Sequence, residues 1–184
     1  MFKTLRIFAG MTVLLLAFAT PAAAGPQRPF EGTVMGEHGP LDFDDQACLD
    51  AGYAWRFPSA GMGQMSHLGR VDYELTQCTL PGPDGFASVG TVTFTAANGD
   101  ELWLEHTMLS QLIGDFEAPD GFTFEGAWTA AGGTGRFTTA TGAGTMYGYG
   151  DVPNGEVIFD IPDGLAQFNF IGDIAYNASD RSHQ

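Results

Sequence analysis

His67 and His106 are the side chains of this sequence best suited to acid–base chemistry. Each falls, by alternation, on a face otherwise made of apolar groups: His67 with Val71, Tyr73 and Leu75, and His106 with Leu102, Leu104 and Met108. An imidazole titrates near neutral pH, so on an apolar wall it can move a proton or orient a ligand through a hydrogen bond. The same placement suits a core histidine bonded to backbone or to a neighbouring side chain, and the sequence leaves both readings open. Phe94, Leu102, Leu104, Phe124, Trp128 and Phe168 fall on inward faces too and would form the apolar wall of a binding lumen. Cys48 and Cys78 are the only two cysteines. Outside the cytoplasm such a pair oxidises to a disulfide; the rival reading is two buried free thiols. Two sulfurs without nearby histidines fall short of zinc's four ligands.

Other chemistries are argued against by their missing parts. Asp42-Phe43-Asp44-Asp45 begins like a calcium loop, but Ala47 stands where such a loop needs glycine and Tyr53 where it needs glutamate. There is no Gly-x-Ser-x-Gly elbow, no His-Glu-x-x-His and no Gly-Lys pair for a nucleotide loop. The glycines from Gly133 onward do not complete a dinucleotide fingerprint, because Thr138 takes the last position. The expectation is a protein without metal or cofactor.

The elements that must carry these residues read as strands. Alternating runs occupy 53–60, 65–78, 88–96, 101–109, 121–130, 143–150, 156–161 and 165–177, after a short strand over Phe30–Val34 and a long acidic loop over 36–52. Turn signals separate them, the strongest being Asn98-Gly99, where both residues accept a positive φ. The glycine-rich stretch Gly132–Gly144 predicts a turn or single helical turn at a sheet end. No helical period follows the N-terminus. The prediction is an all-β chain: a closed antiparallel barrel of about eight strands, forming one domain over 25–184.

Residues 1–24 have the form of a cleaved secretory signal: Lys3 and Arg6, an apolar run over Met11–Ala19, then Pro21-Ala22-Ala23-Ala24. The run is shorter than the roughly 20 residues that cross a bilayer. The expected location is therefore periplasmic or extracellular. Removal of the signal leaves 160 of the 184 residues, with five arginines, no lysine and all 22 acidic side chains, a formal charge of −17. Nucleic acid and anionic lipid surfaces, which are bound through clustered Lys and Arg, are excluded as partners. The acidity fits solubility outside the cytoplasm.

Ser66-His67-Leu68-Gly69-Arg70, Thr93-Phe94-Thr95-Ala96-Ala97-Asn98-Gly99-Asp100 and the Gly132–Phe137 corner together resemble the secreted bacterial branch of the allene oxide cyclase barrel-like proteins. The resemblance runs from about Ser66 to Tyr176. It implies a calycin-like eight-stranded barrel with a lumen open at one end. It also implies that the activity, if there is one, is that of an isomerase or cyclase, as in plant relatives that cyclise a fatty-acid epoxide. No position here carries over the catalytic carboxylate of those enzymes. Three functions stay open: a secreted barrel holding a small apolar molecule, a cyclase using the same lumen, and a packed structural or surface barrel.

Overall fold

The computed structural model of the chain describes residues 25–83, 85–115, 118–152 and 164–177. The signal-like segment and the strand-like run 156–161 lie outside the described residues. Strands β1 (Gln27–His38), β2 (Trp55–Met65), β3 (Gly69–Gly82), β4 (Gly85–Ala96), β5 (Glu101–Asp115), β6 (Ala118–Gly133), β7 (Thr141–Asp151) and β8 (Leu165–Ala175) pair antiparallel in chain order. β8 pairs back on β1, with Phe30 opposite Gly172 and Val34 opposite Phe168, so the sheet closes on itself. Closure removes both sheet edges.

Alternation places the side chains as the sequence predicts on most strands. Val71, Tyr73 and Leu75 of β3, Val92, Phe94 and Ala96 of β4, Leu102, Leu104, His106 and Met108 of β5, and Phe168, Phe170 and Ile174 of β8 are all buried. Six of the eight strands are longer than the alternation predicts, β3 is shifted to Gly69–Gly82 and β8 ends two residues early, at Ala175. β1 runs on to His38, and the acidic loop shrinks to a strap over residues 39–54 that holds one short helix, α1 (Gln46–Asp50). Asp45 caps α1 by accepting from the Cys48 backbone N–H at 2.9 Å.

β7 has a distinct inner face. Apart from Met146 its inward positions are glycines, and the aromatic rings of β6 lie across them. A Cβ on Gly148 would meet the Phe124 ring at 2.5 Å, and one on Gly144 would meet the Trp128 indole at 2.6 Å. The rings thus occupy space that side chains on β7 would otherwise fill. Trp128 also donates its indole N–H to the Thr145 carbonyl at 3.0 Å.

One barrel end is sealed. The single 3₁₀ turn at Gly135–Phe137, inside the glycine-rich stretch, puts Phe137 into the interior with no exposure. Tyr176 packs against that ring at 4.8 Å between centroids. Thr134 ties the corner to the start of β5 by accepting from the Glu101 N–H at 2.9 Å, and Arg136 pairs with Asp100 at 3.3 Å. Above this end the interior is filled by rings, with Phe94 against Phe170, Phe30 against Trp128, and Phe124 against Phe168.

Candidate functional site

The eight lumen candidates divide on inspection. His67 departs from its expected place. The run 65–78 is interrupted by the β2–β3 turn at residues 66–68, so parity is lost there and His67 does not enter the barrel. It adopts φ 66° in the turn. Its Nε2 lies 2.8 Å from the Pro29 carbonyl, and its ring packs on Tyr176 outside the sealed end. The other seven, His106, Phe94, Leu102, Leu104, Phe124, Trp128 and Phe168, are buried inside the barrel. They form its packed middle and do not line its open space.

That space lies at the opposite end, as a cavity of about 60 Å³. Its apolar walls are Leu41, Trp55, Phe57, Phe86, Leu112 and Phe122, and its polar ones are His38, Gln77, Thr79, Ser88 and Ser110. Trp55, Phe86 and Leu112 stand at the rim. Gln77, Ser88 and Ser110 each sit one inward position deeper than the rim residue of their own strand. The sequence reading missed this group. Gln77, Thr79, Ser88 and Ser110 continue the inward parity of β3, β4 and β5 beyond the apolar runs, and strand period alone could have found them.

The strap forms the cavity's lip. Leu41 reaches the cavity from it, and Asp42 bridges to Arg56 of β2 through paired backbone bonds of 2.9 and 3.0 Å. The Arg56 guanidinium holds Asp45 at 3.0 Å and Asp42 at 3.5 Å. Cys48 of α1 is disulfide-bonded to Cys78 on the outer side of β3, with 5.3 Å between Cα atoms. The bond thus fastens the strap to the strand that carries Gln77 and Thr79.

The polar interior is unevenly satisfied. The Ser59 and Tyr73 hydroxyls bond at 2.9 Å, and Ser59 also donates to the Glu37 carbonyl. Burial raises the Tyr73 pKa above its usual value, with the Ser59 bond opposing. The Thr79 and Ser88 hydroxyls bond each other at 2.9 Å. Gln77 Oε1 and both ring nitrogens of His106 are buried with no hydrogen-bond partner among the described residues. These two residues stand in one hydrogen-bonded row, on either side of Gly90. Burial lowers the His106 pKa to about 4, so the ring is neutral at physiological pH.

No carboxylate, lysine or arginine is among the described cavity-lining residues. Among the described residues, no three His, Cys, Asp or Glu side chains gather as a metal site would require. The arrangement can desolvate a small molecule and offer it an amide, hydroxyls and an imidazole as hydrogen-bonding groups. No family model, curated protein or solved structure matches the chain. Its function is therefore argued from this cavity.

Proposed function

We propose that the protein is a secreted β-barrel, of the allene oxide cyclase-like type, that binds a small and largely apolar molecule at the open end of its barrel. The observation that carries this reading is the cavity: about 60 Å³ between aromatic walls, above a polar floor, at the end opposite the 3₁₀ turn. A barrel with a purely structural role has no need of a buried amide oxygen without a partner at a cavity wall, since it costs desolvation. The Cys48–Cys78 disulfide and the signal-like N-terminus support a periplasmic or extracellular location.

The test has two arms. Native mass spectrometry of protein purified from its own host should find a retained small molecule. Calorimetric titration of the emptied protein with toluene and benzyl alcohol should give saturable heats, accompanied by a change in tryptophan emission from Trp55 at the rim. If nothing is retained and neither compound binds, the packed structural barrel is the correct reading.

A further inference from the structure

The proposed cavity also carries information about the charge of its occupant. Its deep face presents the Gln77 amide and the hydroxyls of Ser88 and Ser110, while its rim is aromatic and aliphatic. A molecule that satisfies both enters polar end first and leaves its apolar body against Trp55 and Leu112.

The four described arginines are all elsewhere. Arg56 is engaged with Asp42 and Asp45 at the strap. Arg70 is exposed on the outside of β3. Arg28 lies over Tyr176 and Arg136 over Phe137, both at the sealed end. An anionic head group entering the cavity would lose its hydration and meet no lysine or arginine among the described residues. It would also approach a chain that carries a net charge of −15 even with its signal-like segment counted. An uncharged head group has the opposite balance. Gln77 Oε1 needs a donor, and the Thr79–Ser88 pair has a hydroxyl proton and lone pairs left after bonding each other. The amide of Gln77 can turn over to present either its oxygen or its nitrogen, so hydroxyl, carbonyl and amide groups are all accommodated.

We infer that the mouth cavity selects uncharged molecules, each a single ring or short branched chain bearing one hydroxyl, carbonyl or amide group that Gln77 binds, and that it refuses carboxylates. The size supports small ligands, since about 60 Å³ is below the roughly 150 Å³ that encloses a benzene ring completely. A ring therefore seats its head group and part of its body, with its far edge at the rim beneath Leu41. This inference rests on the binding function proposed above and narrows it.

Toluene, benzyl alcohol and benzoate differ only in the group attached to the ring, which makes them a matched series. Binding to the purified disulfide-bonded protein is measured by calorimetry at pH 7.5. Benzyl alcohol should bind about tenfold tighter than toluene, and benzoate at least tenfold weaker than benzyl alcohol. Gln77→Leu should abolish the preference of benzyl alcohol over toluene and leave toluene affinity within twofold. Gln77→Met, which keeps an unbranched side chain, should behave alike and guards against a folding defect in the leucine variant. Benzoate binding as tightly as benzyl alcohol would overturn the inference and leave the binding function standing. An unchanged preference in both variants would remove Gln77 from the site. Failure of all three compounds to bind would refute the binding function, and this inference with it.

Discussion

Replacing His106 with leucine tests whether its imidazole is buried uncharged. Gly90 and Trp128 flank it on the neighbouring strands, Leu104 and Met108 lie before and after it along β5, and none of these can share a proton with it. In the folded protein the ring takes a proton only near pH 4, whereas in the unfolded chain it does so near its ordinary value of 6.5. Above pH 6.5 the ring is neutral in both states and contributes no pH dependence. As pH falls from 6.5 towards 4, only the unfolded chain gains the proton, so stability falls; below 4 both states are protonated and the loss stops. Each tenfold difference in proton affinity is worth RT ln 10, so the full loss is about 3 kcal/mol, of which about 2 kcal/mol is spent by pH 5. Leucine has nearly the same volume and leaves no nitrogen unpaired, so His106→Leu should be as stable as the parent at pH 7.5, or about 1 kcal/mol more stable. Urea unfolding at pH 7.5, 6, 5 and 4.5 measures both proteins. The parent should lose about 2 kcal/mol more than the variant between pH 7.5 and 5, a difference of about 4–8 °C in melting temperature for a domain of this size. Every other group is common to both proteins and cancels in the comparison. Parallel pH profiles, or a variant several kcal/mol weaker at pH 7.5, would show that His106 has a partner and refute the reasoning.

Thiol titration of the denatured, unreduced protein should find no free sulfhydryl. Replacing Cys48 and Cys78 together by serine should cost about 3–4 kcal/mol by chain entropy for a sequence separation of 30, with the loss read by urea unfolding; a cost below about 1 kcal/mol would show the strap to be held without the bond. Gly148→Ala should destabilise by about 2 kcal/mol, because the added methyl meets both the Gln167 backbone carbonyl and the Phe124 ring. The same substitution at Gly52, where an added Cβ meets nothing within 4 Å but φ is +85°, should act through backbone strain alone and cost about 1 kcal/mol. Equal melting temperatures for Gly148→Ala and the parent would mean that neither the Phe124 ring nor the β8 backbone lies this close to Gly148.

The architecture was largely written in the alternation. Each strand inside a closed sheet must send every second side chain into one shared interior, and runs such as Val71–Leu75 and Leu102–Met108 record that directly. The Asn98-Gly99 turn and the Gly132–Gly144 corner were legible for a similar reason, since each depends on local backbone freedom. The pairing of Cys48 with Cys78 needed only their number and the expected compartment. The placement of His67 was not legible, because it lies in the turn between β2 and β3, where the alternation of β3 does not reach. Nor could alternation separate a filled interior from an open one. Which inward residues touch a ring across the barrel and which touch empty space is set by strand tilt and register across eight strands. Phe94 and Phe168 meet other rings, while Gln77 and Ser88, equally inward, meet a cavity. A strand's own sequence fixes which face a side chain takes. What stands opposite it comes from strands more than a hundred residues away, as Val34 and Phe168 do, and only closure of the sheet brings them together.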